Sequence, residues 1–314
     1  MKGGAVLCLA GVALTGFTVS WQNRQNLVDT GNAGLSAAHT MTKLAVLGPA
    51  TASTAVEQRW WQRSFNKGTE TPSMHQPLPI DKLSCKLQGR PCDSTSYSPV
   101  VLVSCGSFNP PTNMHLRMFD LAEHALLQSG TDVLGGYLSP VNDAYKKPGL
   151  LPAEQRVAMC ELAAGATDDV MVDSWEAQQK HYQRSLTVLE HVESELNAQL
   201  HQSSTPQGSL PHQSGRVSHA NPGVWKEDHL HQILGTHGVV CVTRHSADVH
   251  RLLANEGTII HKYRHNIVVV EEPIVNDMSS TNIRQQLAQG RPVRYLIPDG
   301  VLRYIQQHHL YSSA

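Results

Sequence analysis

Between residues 99 and 270, hydrophobic residues fall into short continuous runs, and the stretches between the runs carry hydrophobic residues at helical spacing. The runs are rich in β-branched residues, which is typical of strands buried on both faces of a parallel sheet. They predict five strands, at residues 99–105, 133–138, 170–172, 238–243 and 266–270.

The stretches that follow these strands predict helices. In residues 115–127, Leu116, Phe119, Ala122 and Leu126 recur at helical spacing. Further helices are predicted from Pro152 as a first helical residue, over 185–200, from Ser279 or Ser280 to near Gly290, and from Pro298 to Leu310. Strands alternating with helices predict a Rossmann-like, doubly wound α/β sheet.

Two parts of the chain break this alternation. Residues 201–221 contain two prolines and no apolar run, which predicts loop or disorder where a sheet of this kind needs a strand. Residues 1–98 lack the alternating pattern. We therefore predict one domain over 99–314, atypical at 201–221, behind a low-complexity leader or disordered extension over 1–98.

The leader has two parts. Residues 5–19 form an apolar run broken by glycine and threonine, too short for a good transmembrane helix, and similar to a signal or anchor segment preceded only by Lys2. Residues 20–98 are polar, moderately basic and poor in acidic residues, as in an organellar transit peptide. A disordered extension and non-coding sequence behind a wrong start codon are the alternatives. The compartment therefore stays open between cytoplasmic or nuclear and organellar.

Composition adds mainly exclusions. Lys and Arg number 25 against 26 Asp and Glu, for a formal net charge of −1. Nothing therefore indicates a nucleic acid partner, and any nucleotide must be bound by a local site. The 6 cysteines include no C-x-x-C pair and the 18 histidines no H-E-x-x-H motif. We predict neither a disulfide framework nor a metal site formed by protein ligands.

The sharpest chemical signal is residues 106–115, GSFNPPTNMH, between the first predicted strand and the first helix. A turn there presents backbone N–H groups at a helix N-terminus, which suits phosphate oxygens. Its spacing is neither G-x-G-x-x-G nor Walker A. Thr112 and His115 could both donate hydrogen bonds to a polyphosphate. The alternative is a proline-rich turn with an incidental surface histidine.

A second candidate phosphate site is SSTNIR at residues 279–284. Ser279 and Ser280 place hydroxyl and N–H groups at a helix start, and Arg284 can contact a phosphate through two hydrogen bonds. The alternative is an ordinary N-cap followed by a solvated arginine. Two such helix starts on one sheet support each other more than either does alone.

Loops after the second and third predicted strands supply the remaining candidates, because open α/β sheets bind ligands at the carboxyl ends of their strands. Lys146 or Lys147 could contact a phosphate, with solvated lysines as the alternative. Trp175 could stack on a flat ring, and so could Trp225, for which core packing is the alternative.

Together these residues resemble the nicotinamide/nicotinic acid mononucleotide adenylyltransferases in their eukaryotic, plant-like form, from about residue 100 to 311. GSFNPPTNMHLRMF is similar to the family's GxFxPxTxxH signature, and SSTNIR to its second signature. GGYLSPVNDAYKKPGL, DSWEAQQ, PGVWKE and RYLIPDGVLRYI are similar to further family segments. The resemblance implies a sheet of the nucleotidyltransferase type.

The resemblance implies adenylyl transfer from ATP to nicotinamide or nicotinate mononucleotide, giving NAD or deamido-NAD and pyrophosphate in NAD biosynthesis. The 5′-phosphate of the mononucleotide would attack the α-phosphorus of ATP directly, with no covalent enzyme intermediate. Mg²⁺ would accompany ATP, held mostly by ATP oxygens and water. The choice between the two mononucleotides and the existence of a homo-oligomer are left open.

The resemblance also assigns roles to residues. His115 would stabilise the ATP phosphates and the transferred group, Lys147 would hold phosphate, and Arg284 would bind the leaving phosphates. ATP and its phosphates would be contacted by Gly106, Ser107, Phe108, Thr112, Ser279, Ser280, Thr281, Arg244 and Asn276. The nicotinamide side would be lined by Trp175, Tyr182, Ser185 and Trp225.

One departure from the family pattern is informative. Family members carry an apolar strand ending in Leu-Cys-Gly-Ala/Ser-Asp just before the part similar to residues 218–225, whereas residues 209–217 here have no strand character. The domain is therefore expected to lack a central strand and a ligand contact. Either a coding segment is absent, or the chain is an impaired homologue acting as a nucleotide-binding or chaperone-like protein.

Overall fold

The computed structural model describes residues 4–10, 77–83, 99–202, 226–243, 246–274 and 277–312, with the backbone alone at 4–10, 200–202 and 246–248. Within these residues the strands are β1 (Gly4–Ala10), β2 (Pro99–Gly106), β3 (Asp132–Pro140), β4 (Val170–Val172), β5 (Val239–Thr243) and β6 (Ile267–Glu271). They form one parallel sheet in the order β4-β3-β2-β1-β5-β6. The predicted doubly wound parallel sheet is confirmed.

The helices of the described residues are α1 (Asn113–Gln128), α2 (Ala153–Ala164), α3 (Trp175–Gln178), α4 (Ser185–Gln202), α5 (Glu227–Gln232), α6 (Ser246–Ala254), α7 (Ile259–Lys262), α8 (Ser280–Ala288) and α9 (Asp299–Gln307). Pro152 is the N-cap of α2 rather than its first helical residue. The last helix ends at Gln307, before the predicted Leu310. None of the helices in this part of the chain is long and apolar enough to cross a membrane.

Both faces of β2 are covered, which explains why its apolar run is continuous. Leu102 belongs to a buried cluster with Phe119 of α1, whereas the next residue, Val103, belongs to a second cluster with Leu189 of α4. Gly136 in β3 leaves room for this packing, because a Cβ there would lie 2.3 Å from a ring carbon of Phe119. Helices therefore cover the sheet on both sides, as in a doubly wound fold.

The place between β2 and β5 is occupied by β1, from the part of the chain predicted to be a leader. Leu7 is paired with Val103 of β2 on one side and with Val239 of β5 on the other. The sheet therefore has a central strand where the sequence indicated that one was lacking. In the atypical stretch 201–221, residues 201–202 form the end of α4. The rest of that stretch lies outside the described residues.

Residues 77–83 also belong to the domain, although the sequence placed them in the leader. Leu83 is buried in the cluster under α4. The Lys82 ammonium donates hydrogen bonds to the carbonyls of Ala164, Thr167 and Val170, each at 2.6 Å. The Tyr137 hydroxyl donates to the carbonyl of Pro79 at 2.7 Å. The segment is thus fixed by buried apolar contact and by hydrogen bonds to α2 and β3.

Leu83→Ala should lower the free energy of unfolding by about 2–3 kcal/mol, because it removes a buried leucine and leaves a cavity. Urea unfolding of the full chain measures this. Leu127→Ala is the matched control, because Leu127 is 58% exposed and its truncation should change stability by about 0.5 kcal/mol or less. Equal effects of the two substitutions would contradict the packing of residues 77–83 in the core.

Candidate active site

The carboxyl ends of β2, β3 and β4 bring three of the predicted segments to one edge of the sheet. We call residues 106–112 the phosphate turn, residues 141–150 the lysine loop and residues 173–182 the aromatic segment. The N–H of Val141 donates to the carbonyl of Gly106 at 2.9 Å, and the N–H of Asp173 donates to that of Leu138 at 2.9 Å. The three segments are therefore neighbours, as expected of a site at strand ends.

The phosphate turn is held in one conformation by Phe108. This residue has φ = 42°, a left-handed value that is uncommon for a bulky side chain and is found where surrounding packing enforces it. Its ring is buried and lies so close to Gly106 that a Cβ there would be 3.0 Å from a ring carbon. The turn is thus shaped by its own packing, which favours preorganised backbone N–H groups.

His115 is hydrogen-bonded to the phosphate turn, and this contact determines which of its ring nitrogens carries the proton. The N–H of Thr112 donates to Nδ1 of His115 at 2.9 Å, and the Thr112 hydroxyl lies 2.8 Å from the same nitrogen. Because Nδ1 accepts a hydrogen bond from a backbone N–H, the proton of the neutral ring is on Nε2. Thr112 itself is buried, so its contacts orient His115, whereas the sequence had paired the two as phosphate donors.

The start of α8 is joined to the phosphate turn. The Ser280 hydroxyl donates to the carbonyl of Pro110 at 2.7 Å, and Nη1 of Arg284 donates to the carbonyl of Asn109 at 2.8 Å. Ser279 is the N-cap, and its hydroxyl accepts from the N–H of Asn282 at 3.2 Å. The structure therefore brings together the two helix starts that the sequence predicted as phosphate sites. Thr281 lies beside them and is exposed.

Asn109 connects the phosphate turn to distant parts of the chain, a role that the sequence did not reveal. Its amide donates to the carbonyl of Gly149 at 2.7 Å. Its side-chain oxygen accepts from the Tyr311 hydroxyl at 2.7 Å, and burial raises the pKa of Tyr311 above its ordinary value. Both partners lie far from Asn109 in sequence, so no local spacing pattern could have indicated them.

Arg156 of α2 is the second residue that sequence reasoning missed. Its side chain is fully buried and donates to the carbonyls of Leu151, Val141 and Ser107, at 2.8, 2.7 and 3.2 Å. It also pairs with the Asp143 carboxylate at 2.9 Å. A buried guanidinium requires such partners, so Arg156 ties the phosphate turn to the lysine loop. The only local signal was an arginine on the apolar face of a predicted helix.

The lysine loop forms a cleft of about 320 Å³ lined by Asp143, Lys146, Lys147, Leu150 and Pro152. Both lysines are exposed. They directly follow the 3₁₀ turn Asp143–Tyr145, which is capped by the side chain of Asn142. The loop thus carries two exposed positive charges, and phosphate binding by Lys147 stays a prediction.

The aromatic segment carries two ring pairs. Trp175 stacks on His191 with ring centroids 4.2 Å apart, and Tyr182 stacks on Tyr145 at 5.6 Å. Burial raises the pKa of Tyr182 to about 12, so its phenol is neutral at physiological pH. Ser185 begins α4 next to this segment. Trp225, Arg244 and Asn276, the other predicted contacts, lie outside the described residues.

The aromatic segment contains two buried carboxyl groups that bond to neighbouring elements. Asp173 accepts hydrogen bonds from the Trp175 N–H and the Ser139 hydroxyl, both at 3.0 Å, and Glu176 lies 3.4 Å from the N–H of Asn142. Burial raises the pKa of Asp173 to about 6 and that of Glu176 to about 8. Glu176 therefore tends to be protonated at neutral pH, because desolvation disfavours its charged form.

Glu176→Gln should remove a pH dependence of stability. The pKa of Glu176 is raised from 4.5 to about 8, so the folded protein holds the proton more tightly, and stability is lost as pH rises through about 8. We expect the variant to gain about 4 kcal/mol on the wild type between about pH 5 and pH 8.5 in urea unfolding. Exposed Glu154→Gln is the control. A difference from wild type that stays constant with pH would contradict the assignment.

Comparisons with known proteins cover the part of the chain that contains the candidate site. Residues 103–286 match the family model described as Cytidylyltransferase-like. The chain is 44% identical over 252 residues to the nicotinamide/nicotinic acid mononucleotide adenylyltransferase of Arabidopsis thaliana, covering 76% of this chain and 99% of that protein. It is 43% identical over 240 residues to the protein of the same name from Oryza sativa subsp. japonica, covering 76% and 95%.

A mammalian relative gives the same result. The chain is 37% identical over 261 residues to nicotinamide/nicotinic acid mononucleotide adenylyltransferase 1 of Bos taurus, covering 70% of this chain and 92% of that protein. Because 76% of 314 residues is fewer than the 252 aligned with the Arabidopsis protein, that relative has residues with no counterpart here. The chain belongs to the cytidylyltransferase-like family and, within it, to the nicotinamide/nicotinic acid mononucleotide adenylyltransferases.

Proposed function

We propose that this chain transfers the adenylyl group of ATP to nicotinamide or nicotinate mononucleotide, forming NAD or deamido-NAD and releasing pyrophosphate. Two plant relatives are named for this activity, and the match covers 95% or more of the length of each. The observation that carries the proposal is the junction of the phosphate turn with α8, through Ser280 on Pro110 and Arg284 on Asn109. This junction supports the proposal, because helix N-termini and an arginine are groups that bind polyphosphates.

In the proposed reaction, an oxygen of the mononucleotide's 5′-phosphate attacks the α-phosphorus of ATP. A P–O bond forms to that oxygen while the bond from the α-phosphorus to the bridging oxygen breaks, and the electron pair leaves with pyrophosphate. No protein nucleophile is required, so catalysis consists of positioning and charge stabilisation. His115 donates from Nε2 to the phosphates, Lys147 adds positive charge, and Arg284 stabilises the leaving group.

The remaining predicted residues complete the two halves of the site. We assign to ATP the backbone N–H groups at Gly106, Ser107 and Phe108 and the start of α8 at Ser279, Ser280 and Thr281, with Arg244 and Asn276 on its adenylate side. The nicotinamide ring lies against Trp175 and Tyr182, with Ser185 and Trp225 nearby. Stacking of Trp175 on His191 supports this assignment, because it fixes the plane of the indole.

ATP enters as its Mg²⁺ complex, so the ion is part of the substrate. Within the described residues, no group of three or more His, Cys, Asp or Glu side chains could hold a metal ion. An ion coordinated by phosphate oxygens and water is compatible with these residues, because Mg²⁺ keeps several waters and takes phosphates as ligands.

The test uses the purified full chain with Mg²⁺ and ATP and each mononucleotide in turn. We expect pyrophosphate release matched by NAD or deamido-NAD, and no product when CTP replaces ATP. The ratio of kcat/KM for the two mononucleotides then gives the preferred substrate. A folded chain that turns over neither mononucleotide would refute the proposal and favour the alternative of a catalytically impaired homologue that acts as a nucleotide-binding or chaperone-like protein.

A further inference from the structure

Asn142 occupies a buried position between the lysine loop and the aromatic segment and is only 5% exposed. Its amide nitrogen lies within hydrogen-bond distance of three carbonyl oxygens, those of Glu176, Ala177 and Gln179, at 3.3, 3.4 and 2.5 Å. Its side-chain oxygen accepts from the N–H of Ala144 at 2.8 Å. One side chain therefore satisfies groups on both elements.

These contacts make Asn142 a cap for two short elements at once. At the end of the one-turn helix α3, the Glu176 carbonyl accepts from the N–H of the C-cap residue Gln179 at 3.1 Å, and the carbonyls that follow it need donors from outside the helix. The 3₁₀ turn Asp143–Tyr145 has the complementary need for an acceptor at its start, which Asn142 supplies. Asparagine suits this position because its amide carries both donors and an acceptor.

The two capped elements carry the residues proposed to contact opposite ends of the mononucleotide. Lys146 and Lys147 directly follow the 3₁₀ turn, and Trp175 opens α3. Stacking of Tyr145 on Tyr182 is a second contact between the lysine loop and the aromatic segment. A shift of the lysine loop relative to α3 would therefore change the distance between a phosphate contact and a ring contact.

The ATP side is held by other bonds. Hydrogen bonds to Thr112, Pro110 and Asn109 help to orient His115, Ser280 and Arg284 respectively, and none of them involves Asn142. Arg156 links the lysine loop to the phosphate turn through Val141 and Ser107, independently of the side chain of Asn142. Loss of that side chain should therefore disturb one half of the site.

We infer that Asn142 is a positioning residue for mononucleotide binding, which fixes the spacing between the phosphate-binding lysine loop and the aromatic segment. The inference rests on the proposed function. Asn142 is expected to affect the affinity for the mononucleotide and not the chemical step. The reason is that its side chain acts on the substrate only by positioning the two elements that it joins.

The test measures steady-state kinetics of the full-length wild type, Asn142→Ala and Asn142→Ser. Serine retains an acceptor for the Ala144 N–H but is too short to reach the three carbonyls, so it separates capping of the turn from the link to α3. We expect both variants to raise KM for the mononucleotide about five- to twentyfold, with kcat and KM for ATP within about twofold of wild type. Gln232→Ala is the matched control, because this exposed amide lies outside the three segments of the site and donates to the Glu190 carboxylate at 3.0 Å, and it should leave all three constants unchanged.

Three results would overturn the inference: an unchanged KM for the mononucleotide, an equal rise in KM for ATP, or wild-type constants in Asn142→Ser. Thermal unfolding identifies a variant that fails to fold, and Asn142→Ser then carries the test because it keeps the cap. Turnover by the wild type in the same assay tests the proposed function separately. An inactive wild type refutes the function, whereas an active wild type with unaffected variants refutes only the role of Asn142.

Discussion

Replacing His115 with alanine should lower kcat about 10²- to 10³-fold while leaving the affinity for the mononucleotide within about twofold. The Nδ1 atom of the ring accepts from the Thr112 N–H, so the ring is held in one orientation with its proton on Nε2. Charge on the phosphates grows and moves in the transition state, so a fixed donor there contributes more to kcat than to substrate binding. Steady-state kinetics with the mononucleotide and ATP each varied at saturation of the other measure the two effects.

The control is His124→Ala, on the exposed part of the same helix, which should leave kcat within about twofold. His115→Gln should retain more activity than His115→Ala, because a glutamine amide can supply a donor near the place of Nε2. An alanine variant as active as the wild type would remove His115 from the mechanism. A large rise in KM for the mononucleotide with kcat unchanged would instead make it a binding residue.

Most of the sheet could be predicted from the sequence because each strand after residue 98 is a continuous apolar run. The run at 170–172 coincides with β4, and Val103 and Leu102 enter opposite cores as a doubly covered strand requires. Such patterns are local, because the faces of a strand alternate with every residue. The partner of a strand is not local. Nothing in the run near the N-terminus indicated that Leu7 would pair with Val239, which lies more than 200 residues away.

The candidate site shows the same division. His115, Ser280 and Arg284 were indicated by their spacing at two helix starts, and the structure brings them to the same turn. The residues that hold the site together were not indicated, because each is a single polar residue whose partners are distant in sequence. Arg156 bonds to Ser107, and Asn142 bonds to Gln179. A lone buried polar residue gains its meaning only from the groups that satisfy it.

The position of β1 leads to the second large effect. The two plant relatives are covered over 95% or more of their own length, but the match takes up only 76% of this chain. About a quarter of the chain therefore has no counterpart in them. The resemblance to the family led to the expectation that residues 209–217 lack a strand, and these residues lie outside the described part of the chain. In this structure the gap between β2 and β5 is closed by residues 4–10. A central parallel strand provides ladder hydrogen bonds on both sides, so the fold should depend strongly on it.

Leu7→Pro should therefore reduce the free energy of unfolding by about 3 kcal/mol or more, since proline removes a backbone donor and is excluded from central strands. Leu7 is the residue of choice because it is paired with both β2 and β5. Leu7→Val is the matched control, because it keeps the N–H and an apolar β-former and should cost far less. A chain that begins at residue 77 should be destabilised in the same way, and adenylyl transfer should fall with the folded fraction in each case. If Leu7→Pro unfolds in urea at the same concentration as Leu7→Val, the sheet does not depend on β1, and the missing strand must come from another part of the chain.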